Sequence, residues 1–256
     1  MIYEPDRRRV FLNRKSNILS LAGWTDILVN SVSQTERLRM DKTLRADFHV
    51  HTRFSMDSMS SLEDIIDRCE EVGVNCIAIT DHNAFEGALK MQELAPFKVI
   101  PGEEVLTPNG EVIGYFLKEY IPSKQPMEKV IAAIKAQGGL VALPHPFDTF
   151  RGLHLDGKKL EDLVSQIDII EVFNARSPIP WDSTRARDFA KKFGLPGTAG
   201  SDAHSPREIG KTYVEMPAFD GRDSFLAALR RGEIHRCRSS PFVHFYTMFS
   251  KMKKSL

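Results

Sequence analysis

The chain has 256 residues, 42% of them hydrophobic and 27% charged, with a formal charge of +1 at pH 7. That length suits one large α/β domain or two small ones with a sizeable core, and near-neutrality excludes the basic excess that makes nucleic acid or an anionic membrane a default partner. Cys69, Cys76 and Cys237 are scattered and form no CxxC pair, so they read as small buried hydrophobes in a reducing cytoplasm rather than as a disulfide framework.

Residues 1–44 carry basic clusters without a clear period, and Asn13, Arg14, Lys15 and Asn17 interrupt any secretory core. They read as an N-terminal extension before a domain spanning 45–245, with 246–256 as a basic, solvated tail. From Leu44 onward, apolar runs alternate with amphipathic stretches. "ADFHVH" is a strand in which Asp47, His49 and His51 share a face. "SSLEDIIDRCEEVG" is a helix with Ser60 and Glu63 as a capping box and Gly73 as its C-cap. "CIAIT" follows as a buried strand, then a helix over Phe85–Leu94, "FKVIPGEEV" and "EVIGYFL" as strands, and "PMEKVIAAIKAQGG" as a helix. "LVALPH", "IDIIEVFN" and "GLPGTAGSDAH" repeat the strand pattern, with helices at Leu160–Val164 and Thr184–Phe193 between the later ones. "RDSFLAALRRGE" closes the series. Repeated strand-then-helix units predict a parallel sheet, closed or nearly closed into a barrel.

The polar residues that stand out fall at strand ends. His49 and His51 end the first strand, Asp81 and His82 follow the second, and Glu103 and Glu104 follow "KVIPG". His145 follows "LVALP", Glu171 and Asn174 lie in "IIEVFN", and Asp202 and His204 follow "LPGTAG". In a (β/α) barrel the C-terminal strand ends converge on one mouth, where chemistry is found. Five of the eight histidines map to that rim, and His154, His235 and His244 do not. So many imidazoles and acids together are costly unless cations neutralise them. A donor set of imidazole and carboxylate without thiolate suits Zn²⁺, Mn²⁺ or Fe²⁺. Asp47 and Asp81 have two readings, either orienting imidazoles or bonding the backbone at turns.

"DFHVHT…SMD", "ITDHN", "PGEE", "PHP" and "GSDAH", in that order, resemble the PHP (polymerase and histidinol phosphatase) family of metal-dependent phosphoesterases. The resemblance covers roughly Arg45 to Phe242, and its later part is similar to the branch with a PHP-associated C-terminal segment. It implies a distorted (β/α)7 barrel with two or three divalent metal ions at the C-terminal strand ends. His49, His51, Glu104 and Asp202 resemble the ligands of one ion. Glu104 and His145 resemble those of a second, with Glu104 bridging, and Asp57, His82 and His204 those of a third. Many members have a histidine where this chain has Glu111, which is expected to ligate through its carboxylate.

The expected reaction is hydrolysis of a small phosphorylated substrate, a nucleotide or short oligonucleotide, by metal-activated water. Asp202 or His204 is expected to relay the proton to the leaving oxygen. Arg176 is a candidate clamp for a non-scissile phosphate, with an ordinary surface pair as its alternative, and Asn174 supports it. Arg151 is a weaker candidate. Phe147 and Phe150 stack on a base or pack a lid. Arg7, Arg8 and Arg9, with Lys251, Lys253 and Lys254, make nucleic acid a possible partner, and no apolar stretch is long enough for a membrane partner. Competing readings are a histidinol-phosphate phosphatase and a non-catalytic, metal-stabilised binding module. The sequence leaves the oligomeric state open.

Overall fold

The computed structural model describes residues 43–155, 157–240 and 242–254. The expectations for residues 1–42, including Arg7 to Arg9, lie outside the described residues, and so does the side chain of His244. The compact unit that contains the described residues runs from Asp41 to Leu256.

Nine strands among the described residues form one sheet. They are β1 (Thr43–Val50), β2 (Cys76–Ile79), β3 (Lys98–Thr107), β4 (Gly110–Tyr115), β5 (Leu140–Leu143), β6 (Ile169–Asn174), β7 (Gly197–Gly200), β8 (Tyr213–Pro217) and β9 (Glu233–His235). Their order is β7-β6-β5-β4-β3-β2-β1-β8-β9. The helices are α1 (Leu62–Val72), α2 (Glu86–Leu94), α3 (Met127–Ala136), α4 (Gly157–Leu163), α5 (Pro180–Phe193), α6 (Arg222–Leu229) and α7 (Val243–Lys254).

β1 pairs in parallel with β2 from Ala46 to Val50 on one side, and on the other its first half, Thr43 to Ala46, pairs with antiparallel β8. On that side its C-terminal end instead meets the segment after β7. His51 N–H donates to Ala203 O at 2.9 Å, and Ala203 N–H donates to His49 O at 3.3 Å. The sheet thus nearly closes at the mouth, while β8 and β9 continue it outside the ring.

The expected parallel sheet is corrected at two places, the first being β8, which runs antiparallel to both β1 and β9. At the second, β4 runs antiparallel to both β3 and β5, because β3 and β4 form a hairpin across Pro108 and Asn109 with Thr107 opposite Gly110. No helix separates these strands, so the strict strand-then-helix alternation is interrupted there.

Two hydrophobic clusters hold the barrel. One lies between the strands and the surrounding helices and joins Ile77, Ile79 and Val141 to Ile65, Met91, Val130 and Ile134. The other fills the inside from Ala46, Phe48, Ala78, Ile100, Tyr115, Ala142 and Ala199, and Phe225 of α6 caps it. Phe48 belongs to the inner cluster but Val50 to the outer one, because the register of β1 shifts between Asp47 and Val50. Simple alternation therefore fails where the first histidines lie.

Helix α1 is capped one residue later than expected. Ser61 accepts from Asp64 N–H, and Gly73 closes the helix at φ 71°, a left-handed conformation that glycine adopts at no steric cost. Ser60 turns inward and donates to His204 O at 3.0 Å.

The solvated tail is also corrected, since residues 243–254 are helical. α7 packs with its polar side. Ser250 is buried and Val243 and Thr247 are half-buried, while Phe242, Phe245, Phe249 and Met252 are exposed.

Candidate metal centre

The nine side chains expected to ligate metal converge on one pocket at the mouth. Glu104, fully buried on β3, is its hub. Its Oε2 lies 3.1 Å from His49 Nε2, 3.4 Å from His51 Nε2 and 3.2 Å from His82 Nδ1, and its Oε1 lies 3.3 Å from His145 Nε2. Asp202 Oδ1 approaches His51 Nε2 at 3.3 Å, His204 Nδ1 at 3.5 Å and His49 Nε2 at 3.7 Å. Asp57 stands 3.2 Å from His204 Nε2 and 3.5 Å from His82 Nε2.

Glu111 reaches the same place because β4 is reversed. The start of an antiparallel strand lies beside the end of its neighbour, here Leu106 on β3. Glu111 Oε1 is 3.4 Å from His82 Nδ1, and its Oε2 is 3.7 Å from His145 Nε2. The backbone also bends to assemble the cluster. His145 has φ 28° and Asp202 has φ 53°, left-handed values that cost non-glycine residues conformational energy.

Charge and burial oppose each other here. Burial pushes the Glu104 carboxyl up, but His49, His82 and the bonded His145 outweigh it and hold Glu104 well below the usual carboxylate range. Asp202 is held down in the same way by His49 and Arg151. Burial works against protonating His49, yet Glu104, Asp202 and Glu171 raise its pKa well above the ordinary value. His51 goes the other way, since burial and the neighbouring His204 and His82 push it down to about 3. It is therefore a neutral imidazole. Neither of its ring nitrogens has a hydrogen-bond partner among the described residues, and the same holds for His145 Nδ1.

A buried, neutral, unbonded imidazole facing two carboxylates is costly by itself and becomes favourable with a shared cation. The donor set therefore fits divalent metal. Four groups have donor atoms close enough together to hold an ion. They are His51–Asp57–His82–His204, His49–His51–Glu104, His49–His145–Asp202 and His82–Glu104–Glu111. This grouping differs from the expected one, because His51 also faces the Asp57 set and His82 also faces Glu111.

Supporting contacts explain several other polar residues. Glu171 Oε1 lies 3.0 Å from His49 Nδ1, and its Oε2 accepts from His145 N–H at 2.7 Å and from Asn174 Nδ2 at 3.1 Å. Asn174 also donates to Asp202 Oδ2 at 3.2 Å, so it braces acids of the cluster. Asp47 accepts from Ser201 N–H and His49 N–H, and Asp81 accepts from Thr52 N–H and its hydroxyl. Of the two readings for these aspartates, backbone anchoring is the one present. Their burial pushes them up, Asp47 to about 7 and Asp81 to about 6.

Arg176, expected as a phosphate clamp, borders the cavity over the site. Its side chain is buried, not on the surface, and Nη1 donates to Asp202 O at 3.3 Å. Its Nη2 donates to Val243 O at 3.2 Å and to Thr247 Oγ1 at 2.6 Å, so it ties Asp202 to α7. Arg151 is better placed. It is one-third exposed, and its Nη1 donates to Asp202 Oδ2 at 2.6 Å.

A cavity of about 580 Å³ opens over His82, Asp57 and His204, bordered by Glu111, Arg151 and Lys251. His154 lines it too, contrary to its expected place away from the rim, because its N–H bonds Asn109 O in the β3–β4 turn. His235 does lie elsewhere, stacked on Tyr213. Phe147 packs against Phe189, and Phe150 is exposed. Sequence reasoning missed the buried support of Glu171 for His49 and the cavity positions of His154 and Lys251, the latter expected only as a nucleic-acid contact.

Comparison with known proteins supplies the family. Residues 47–138 match the PHP domain model, and residues 180–234 match the model named PHP-associated. An uncharacterized protein of Methanocaldococcus jannaschii is 35% identical over 147 residues, which is 52% of this chain and 82% of that one. A second from the same organism is 32% identical over 176 residues, 68% of this chain and 70% of that one. The chain belongs to the PHP family. PHP proteins are metal-dependent phosphoesterases, and the enzyme class is a hydrolase.

Two solved structures share the PHP-like fold. A two-domain Bacteroides vulgatus protein, described as containing a predicted PHP-like metal-dependent phosphoesterase, matches with a TM-score of 0.64 at 21% identity. The match covers 75% of this chain and 64% of that one. PsfC of Pseudomonas syringae matches with a TM-score of 0.59 at 16% identity, over 84% and 98% of the two chains. Among the described residues, no helix is long and apolar enough to cross a membrane.

Proposed function

We propose that this PHP protein hydrolyses a small phosphate monoester, with nucleotides as the favoured class, using two divalent cations held at the mouth. The observation that carries this reading is His51, a buried neutral ring between Glu104 and Asp202 with both nitrogens unbonded. Each neutral imidazole offers one lone pair, so groups that share a histidine cannot both be filled. His51–Asp57–His82–His204 and His49–His145–Asp202 share none and form a compatible pair. A third ion would have to borrow an imidazole from one of them. The choice among Zn²⁺, Mn²⁺ and Fe²⁺ is left to measurement, since nitrogen and oxygen donors serve all three.

Divalent cations bound there supply Lewis-acid polarisation of the phosphoryl oxygens and an activated water. The residues of the chain hold and orient. Glu171 fixes the His49 ring through Nδ1, which leaves Nε2 facing the cluster. His204 is fixed likewise, with Nδ1 donating to Asp202 O at 2.8 Å. Asp202 stays ionised beside Arg151 and His49, so we assign it charge rather than the proton-relay role expected of it. His204 Nε2 belongs to the Asp57 group, and we assign it to cation holding as well. The leaving oxygen then takes its proton from water in the cavity. Arg151, at the cavity edge, orients the anionic substrate. The cavity of about 580 Å³ has room for a mononucleotide-sized ester. Three free cysteines support a cytoplasmic setting.

The test is a screen of nucleoside monophosphates, dinucleotides and sugar phosphates on protein reconstituted with Mn²⁺ or Zn²⁺, with metal per chain measured in parallel. Two ions per chain and turnover of monoesters are expected. Bound metal without turnover of any ester would refute the reading.

A further inference from the structure

The C-terminal helix α7 forms one wall of the cavity, through Thr247, Met248 and Lys251. We propose that α7 is a substrate-recognition wall and that Lys251 holds a phosphate group of the substrate, an inference that rests on the phosphoesterase reading above.

Polar tethers set the rotation of this helix. At one end Arg176 donates to Val243 O and Thr247 Oγ1, and at the other Lys254 Nζ donates to Arg53 O and Ser55 O, both at 2.6 Å. Between them Ser250 is buried. The tethers turn Phe245, Phe249 and Met252 to solvent and residues 247, 248 and 251 to the cavity. A helix placed by apolar burial alone would turn the other way, because burying aromatic surface is the larger gain. The orientation follows what the polar side reaches.

What it reaches is the cation-holding cluster. Lys251 Nζ lies 3.4 Å from Asp57 Oδ2, and its side chain is half exposed. Asp57 is also the carboxylate of the His51–His82–His204 group. A divalent cation on Asp57 would compete with the ammonium for the same charge and repel it. The flexible lysine stem then lets Nζ turn to the nearest anion, and a phosphate between cation and ammonium satisfies both. Arg151 pairs with Asp202 and Asp148, and Arg176 is buried. Asp57 and Asp202 both belong to cation-holding groups, so Lys251 and Arg151 each face a carboxylate that metal needs, and Lys251 is the more exposed of the two.

The experiment uses metal-loaded full-length protein with Lys251→Ala, Lys251→Arg and, as a control on the exposed side of α7, Lys253→Ala. Inorganic phosphate binding is measured by calorimetry, kcat and KM with para-nitrophenyl phosphate, and metal per chain by mass spectrometry. Lys251→Ala is expected to weaken phosphate binding and raise KM tenfold or more, with kcat within threefold and metal content unchanged. Lys251→Arg should recover at least half of the lost affinity on a logarithmic scale, and Lys253→Ala should match the wild type. Phosphate affinity within twofold of wild type in Lys251→Ala overturns the proposal. So does a gain of activity or metal affinity in that variant, which would make the lysine a plug. If wild-type protein turns over no ester while Lys251→Ala still loses phosphate, the phosphoesterase reading fails and the phosphate site stands. If the wild type turns over esters and Lys251→Ala is unchanged, only the present proposal fails.

Discussion

Glu171→Gln tests how the cluster is held, because it removes one charge and almost no volume. Both oxygens of Glu171 face donors. Oε1 meets His49 Nδ1 at 3.0 Å, and Oε2 takes His145 N–H and Asn174 Nδ2. A glutamine has one acceptor and one donor at these positions, so either orientation sets a donor against a donor. With its NH₂ toward His49, the ring must adopt the tautomer with Nε2 protonated, and the lone pair for a cation is lost. With its NH₂ toward His145 and Asn174, two buried donors lose their acceptor, a cost of about 1–3 kcal/mol each. Changes at such supporting groups weaken metal binding by roughly 10- to 100-fold, or about 1.4–2.8 kcal/mol. Dialysis against chelator-buffered Zn²⁺ or Mn²⁺, with metal per chain read by mass spectrometry, measures the loss directly. Calorimetry of the metal-free protein separates it from any change in the fold. Cation affinity within twofold of wild type in a folded Glu171→Gln protein would refute the argument that His49 ligates through Nε2.

Chelation should lower the melting temperature reversibly. A cation at a hundred times its Kd contributes about 2.7 kcal/mol, and for a domain this size that is roughly 5–10 °C. An unchanged melting curve would mean that the imidazoles hold no ion. Metal affinity should rise with pH until pH passes the raised pKa of His49, because carboxylates hold the proton on His49 and that proton must leave before it can ligate. In the metal-free protein the sign is opposite. The charged His49 stabilises the fold fully below its unfolded pKa, and that contribution is lost as pH rises through the raised folded value. A pH-independent affinity measured by competition with a chelator would contradict this. Gly200→Ala should destabilise by about 1–3 kcal/mol and weaken cation binding, since an added Cβ would stand 2.3 Å from His49 Cβ and 2.9 Å from Glu171 Oε1. A Gly200→Ala protein that melts and binds metal like the wild type would show that the approach of β7 to His49 is not needed.

The fold was legible wherever period alone decides. Buried runs such as "CIAI" and the amphipathic spacing of Val130, Ile131 and Ile134 specify strand and helix by the surfaces they must bury. Strand direction is not written in that period. "EVIGYF" alternates the same way whether it runs up or down, so β4 could be recognised as a strand without its reversal. The available signal was Asn109–Gly110, a hairpin dipeptide, with Gly110 at φ 117°. Reading it would also have explained Glu111, since only a reversed strand brings its first residues to the mouth.

The site divides by the same logic. Donor types at strand ends survive translation into three dimensions because the barrel fixes where strand ends go, and so His49, His82, His145 and Asp202 meet as the sequence suggests. The partner of a long side chain is not fixed in this way. Arg176 has the reach to clamp a phosphate from its strand end, yet its guanidinium turns to Asp202 O and Thr247, a partner 71 positions away on a helix taken for a tail. That misreading has a physical cause. The apolar spacing of Phe242, Phe245, Phe249 and Met252 announces a helix face, but periodicity does not say which face meets the body. Here the polar face meets it, because Lys254 finds backbone carbonyls of Arg53 and Ser55, Thr247 finds a buried arginine, and Ser250 between them is buried. A helix seated through its polar side can hold a charge over an acidic pocket, which a helix seated through its aromatic side could not do from the same position.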